Sequence, residues 1–259
     1  LDDAFALLRL QVEWGADEAI DLDPIDRLRP VESKPVQLAR PASPVKDTPL
    51  AGPPNGTPGE QAVGLAGQAA TLDDLRTALE AFDLCALRDT ASNLVFAEGD
   101  PASTTLIVGE APGREEDRSG HPFAGPEGQL LDQMLGSIRL TRSELMLTPL
   151  LPWRPPGGRP PSAAEIAICL PFLHRLIGLL KPHRIVLFGG TAARILLPQA
   201  PNRRRNPRGW IESSIPGLHA ALPILALPGL TEMLKNPPLR RDAWAGLRML
   251  RRALDGSQT

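Results

Sequence analysis

The chain has 259 residues, 42% hydrophobic and 22% charged, with 29 prolines, 23 glycines and 2 cysteines: enough for one sizeable core and a tail, not for two large domains. Cys85 and Cys169 are too few for a disulfide framework and fit a reducing compartment. No apolar run reaches the roughly eighteen residues of a bilayer span, and Leu1-Asp2-Asp3 is not the basic-then-apolar opening of a secretory signal, so a cytoplasmic protein without a membrane partner is expected.

The formal net charge of −2 conceals an asymmetry. Residues 1–60 carry 11 acids and 6 bases, residues 61–139 carry 13 and 5, and residues 140–259 carry 6 and 17. The basic final segment, with Arg203-Arg204-Arg205, Arg208, Arg240-Arg241 and Arg251-Arg252, suits a polyanionic partner, though an ordinary solvated surface has the same composition. The absence of tyrosine and an aromatic content of 4% argue against a broad stacking platform for single strands.

In chain order, residues 1–20 read as a short helix with Leu7, Leu10, Val12 and Trp14 at apolar positions, a surface for a protein partner. Residues 21–70 read as a Pro-rich, largely disordered linker, because eight prolines fall between Pro30 and Pro58 among few large apolar residues. Thr71 and Asp74 form a capping box for a helix to about residue 82, and the folded domain is placed at 71–259. Beyond it, strands are expected at 105–109, 145–151, 184–188 and 222–227. Helices are expected at 127–138, 162–180 (with Ser162 and Glu165 as a second capping box), 191–197 and 238–254. The alternation implies an α/β fold with a parallel sheet covered on both faces and a ligand site outside the strands' carboxyl ends.

Each informative loop follows one of those ends. The first strand breaks into Gly109-Glu110-Ala111-Pro112-Gly113, which brings bare backbone and one carboxylate to the sheet edge, and Pro122-Phe123-Ala124-Gly125 follows. After the second strand comes Pro152-Trp153-Arg154-Pro155-Pro156-Gly157-Gly158-Arg159-Pro160-Pro161, where Arg154 and Arg159 are placed to pair with phosphates. The glycines do not match a phosphate loop: no lysine follows, and Glu115-Glu116-Asp117 repel an anion.

These segments, together with Cys85-Ala86-Leu87, Gly128-Gln129-Leu130-Leu131, Cys169-Leu170-Pro171, Gly189-Gly190-Thr191-Ala192 and Lys235-Asn236-Pro237, resemble the uracil-DNA glycosylase superfamily, family 4, over about residues 82–254. The resemblance implies a three-layer α/β/α domain around a small four-stranded parallel sheet. It also implies excision of uracil from DNA, as a monomer, with the base flipped into a pocket. By the same carry-over Glu110 positions water or stabilises the cationic sugar. Gly109, Ala111, Pro112, Gly113, Phe123, Pro149 and Thr231 surround the base, with Phe123 stacked on it and amides of 111–113 meeting its carbonyl. Arg154, Arg159 and Lys235 contact DNA.

The departures matter as much. Where relatives carry an asparagine that reads the uracil edge, this chain has Thr148-Pro149, and where they carry a histidine that supports the departing base anion it has Pro228-Gly229-Leu230-Thr231-Glu232. Losing one preorganised donor of this kind typically costs about 10²- to 10³-fold, so impaired excision is expected, with a non-catalytic DNA-binding protein as the alternative. His121 is a candidate substitute, and the hydroxyls of Thr148 and Thr231 are weaker ones. The four cysteines that hold a [4Fe-4S] cluster in many relatives fall on Phe82, Cys85, Trp153 and Cys169. Only two thiols remain, so no metal or other cofactor is expected.

Overall fold

The protein is described by a computed structural model covering residues 56–197 and 209–256. The expected helix at 1–20, most of the linker prolines and the Arg203-Arg204-Arg205 and Arg208 cluster lie outside the described residues. Helix α1, Pro58–Gln68, falls inside the stretch expected to be linker, so the ordered fold starts before residue 71. The reason is local: Pro58 sits at the first helical position, where its missing N–H costs nothing, and Thr57 with Glu60 closes a capping box. Ala62 and Ala66 bury the helix against the core.

Helices α2 (Leu72–Ala81, capped by Thr71) and α3 (Ala86–Thr90) precede a sheet of six strands rather than four. The strands are β1 (Glu98–Gly99), β2 (Thr105–Val108), β3 (Met146–Thr148), β4 (Arg184–Phe188), β5 (Ile211–Ser213) and β6 (Leu222–Leu227), in spatial order β1-β3-β2-β4-β6-β5. The four expected strands are the parallel centre, and the additional β1 and β5 are short antiparallel edges. Two or three residues with exposed or half-buried side chains carry no alternation long enough to read.

The central strands are buried on both faces, as a covered parallel sheet requires. Leu106, Val108, Ile185, Leu187, Ile224 and Ala226 pack into one half of the core, and Ile107, Leu147, Val186, Phe188, Leu225 and Leu227 into the other. Helix α6 (Ala163–Leu180, capped by Ser162 and Glu165) belongs to the first half. By length and composition it could cross a membrane, which corrects the reading that no run reaches that length. Here Cys169, Phe172, Leu173, Leu176 and Ile177 on it are buried within the domain. The second half is covered by α5 (Gly125–Ser137) and α9 (Leu239–Asp255), whose Ala243, Leu247 and Leu250 are buried. Short helices α4 (Arg114–Ser119), α7 (Gly190–Leu196) and α8 (Leu230–Lys235) follow β2, β4 and β6.

Candidate active site

Beyond the carboxyl ends of β2, β4 and β6 lies a cavity of about 370 Å³ whose lining includes Gly109, Glu110, Phe123, Glu127, Thr191 and Thr231. The loop leaving β2 is pinned on both sides of the carboxylate: the Gly109 amide donates to the Thr148 carbonyl (2.9 Å), and the Leu150 amide donates to the Glu110 carbonyl (3.1 Å). The Glu110 side chain then crosses to the end of β4, where Oε1 accepts the Thr191 amide at 2.9 Å. It passes over Gly189, whose φ of 121° and absent side chain make the space; a Cβ there would collide with the Glu110 side chain. Glu110 is exposed rather than buried, so its oxygens reach water as well as ligand.

Phe123 is clamped in an unusual backbone state, φ 53° without being glycine. Its amide donates to Glu116 Oε1 (2.5 Å) and its carbonyl accepts from Arg142 (2.8 Å), which also pairs with Asp132. Its ring lies against bare Gly109, and its carbonyl against bare Gly128. The other oxygen of Glu116 accepts the Gly113 amide (2.6 Å), so one buried carboxylate ties the Glu110 loop to the Phe123 loop. Burial holds the Glu116 pKa above its ordinary value, against the two amides that lower it.

This arrangement edits the expected base contacts. The Gly113 amide is taken by Glu116 and Pro112 has none, so of the three residues only Ala111 retains an amide for a base carbonyl. Thr231 lines the cavity, with its hydroxyl donating to Glu127 Oε1 at 2.7 Å. Pro149 does not line this cavity. It faces a separate small space with Leu79, Phe172 and Leu176, and the buried Thr148 hydroxyl donates to the Pro149 carbonyl at 3.3 Å. Thr148 and Leu150 line that same small space, so the chain leaving β3 runs along it at this point and not along the cavity. His121 pairs with Glu98 (3.0 Å) on the exterior, outside the cavity, so it does not replace the missing histidine, whose segment contributes Leu230 to the lining.

Arg154 and Arg159 line the rim and Lys235 does not, being the exposed last residue of α8. Arg159 is held by both oxygens of Glu165 (2.9 and 2.5 Å), which pulls the Glu165 pKa down to about 2. Arg154 lies 3.9 Å from Asp117. Glu127, Thr191 and the Glu116 tether are additions to the residues expected from sequence. The spacing of Glu127 four residues after Phe123, in the first turn of the next helix, is a signal that helical geometry makes readable in retrospect.

The four positions of the iron–sulfur site share one buried core. Cys85 and Cys169 Sγ atoms lie 3.8 Å apart, while Phe82 packs edge-on against Phe172 (5.3 Å between centroids) and Trp153 is buried. Two thiols beside a phenyl ring and an indole do not supply the four thiolate ligands of a cubane. The shared hydrogen bond draws the Cys85 pKa down to about 7, and that bond with burial pushes Cys169 up.

Fold and cavity together define an α/β protein with a candidate ligand site at the carboxyl edge of a parallel sheet. Residues 96–248 match the family model of the uracil DNA glycosylase superfamily. A type-4 uracil-DNA glycosylase of Pyrobaculum aerophilum is 34% identical over 183 residues, 69% of this chain and 92% of that protein. One from Saccharolobus solfataricus is 32% identical over 66% of this chain and 80% of its own, and one from Archaeoglobus fulgidus 38% identical over 49% and 63%. The chain belongs to the uracil DNA glycosylase superfamily and is family 4-like within it; by family it is a DNA glycosylase.

Proposed function

We propose that this chain hydrolyses the N-glycosidic bond of uracil in DNA, slowly and without a metal. The observation that carries the reading is the convergence of Glu110 and Phe123 on one cavity large enough for a base. In this reading the flipped base stacks on Phe123 and the Ala111 amide meets one carbonyl. Glu110, oriented by the Thr191 amide, supports the positive charge developing on the sugar and takes the proton of the attacking water. Arg154 and the basic rim face the phosphates. Slowness follows from the walls: the asparagine position has become Pro149, turned elsewhere, and Leu230 occupies the histidine segment. The two thiols at the former cluster site serve as small buried groups in an aromatic packing that stands in place of the cluster.

A second reading, a DNA-binding protein without turnover, draws on the same missing donors. A single-uracil oligonucleotide incubated with the parent and with Glu110→Gln separates the two. Abasic product from the parent alone supports excision, and retention of DNA without product supports binding.

A further inference from the structure

Three glutamates, Glu110, Glu116 and Glu127, and three arginines, Arg114, Arg154 and Arg159, line the cavity, with Glu116 already taken by the Gly113 and Phe123 amides. Glu110 and Glu127 both line it beside the Phe123 ring. Among the described residues Glu127 has one side-chain partner, the Thr231 hydroxyl on Oε1, which leaves Oε2 without a protein donor. Of the three arginines, Arg159 is committed to Glu165 by two hydrogen bonds and Arg154 leans toward Asp117, so two of the three positive charges are answered by carboxylates outside the cavity and Arg114 remains against Glu110 and Glu127.

A base that departs as an anion, as uracil does, needs donors at its carbonyls, and a carboxylate on the wall opposes the charge it acquires. A base that carries a positive charge before cleavage behaves oppositely. When its bond to C1′ breaks, the electron pair moves onto the base and neutralises it, so no donor is required. Water adds to the sugar cation and gives its proton to Glu110, and the neutral base leaves. Before cleavage the cationic ring gains from the face of Phe123 and from a nearby carboxylate.

We propose that this site is tuned to positively charged, ring-alkylated bases in DNA, with Glu127, braced by Thr231, as the residue that senses the charge. This rests on the reading of the cavity as a pocket for a flipped base and extends it to the class of base. A volume of about 370 Å³ leaves room for a two-ring base.

The test uses the full chain, duplexes carrying one 7-methylguanine or one uracil, and their hydrolysis-resistant 2′-fluorinated counterparts for binding. Glu127→Gln is expected to lower kcat/KM and affinity for the 7-methylguanine duplex about tenfold and to raise both for uracil by a similar factor, the size of one charge-assisted interaction. A misfolded variant loses on both substrates, so the opposed shifts are the signature. Thr231→Val, which removes the brace alone, shifts the same ratio less. Equal effects on the two substrates, or a parent that binds and excises uracil but not 7-methylguanine, overturn the inference while leaving the uracil reading intact. A parent that binds neither flipped base overturns both.

Discussion

The edge of the Phe123 ring rests on the α-carbon of Gly109, so closely that a methyl group there would come within 2.9 Å of Cζ. Gly109, the residue before Glu110, is therefore the floor beneath the Phe123 ring. The two loops meet through that contact and through Glu116.

Gly109→Ala is expected to displace the ring rather than the strand, because Gly109 is fixed by the hydrogen bond its N–H donates to the Thr148 carbonyl. Overpacking of this kind costs about 1–3 kcal/mol. Thermal unfolding should show a modest loss, while affinity for a duplex carrying a flipped-base analogue falls about tenfold, the loss of one aromatic stack on the base. Unchanged affinity in a stably folded variant would show that Phe123 does not touch the base.

Gly189→Ala acts on the carboxylate. Its Cβ would occupy the space of the Glu110 side chain, and φ of 121° is strained for alanine. The strain costs about 1–3 kcal/mol, and Glu110 must leave the Thr191 amide. Excision should fall to the level of Glu110→Gln while DNA affinity is kept. An active variant that melts like the parent would separate Glu110's present position from its role.

The parts of this fold legible in the sequence were those with a long period or a strong cap. The four buried parallel strands announce themselves as apolar runs, and the Thr71 and Ser162 boxes locate two helix starts within a residue. Helix α1 was hidden because Pro58 looks like one more linker proline until the Thr57–Glu60 box beside it is noticed. In the site, Glu110 and Phe123 were readable from the loop between two glycines. Pro149 lies with its neighbours Thr148 and Leu150 along the small space beside Leu79 and Phe172 and not on the Glu110 cavity, a placement that depends on tertiary packing and not on any local pattern. The Glu127–Thr231 bond joins residues 104 apart in sequence, a distance no local pattern reports.

The aromatic core around Cys85 and Cys169 predicts indifference to iron. Protein made with iron and sulfide supplied and purified without oxygen should show no stoichiometric iron and no charge-transfer colour, and chelator should not move its melting temperature. Phe82→Ala, which empties a buried volume beside Phe172, is expected to cost about 3–5 kcal/mol. Stoichiometric cluster in the parent would contradict the packing account directly.

Glu116 gives a pH dependence of defined sign. Burial is the largest influence and holds its folded-state pKa above the ordinary 4.5. The folded state therefore binds the proton more tightly than the unfolded chain. The stability contributed by this group is fully present below the ordinary value and is lost as pH rises through the raised one. Glu116→Gln has no proton to lose, yet its single carbonyl oxygen can meet the Gly113 or the Phe123 amide with full strength, not both, at a cost of about 1–3 kcal/mol for the donor left short. Urea unfolding at about pH 4 and about pH 7.5 should show the stability gap, parent minus variant, becoming smaller as pH rises. The other carboxylates are common to both proteins and cancel in the difference. A gap that widens instead would mean that the two amides outweigh burial, and that Glu116 holds the Glu110 and Phe123 loops together as a stabilised anion.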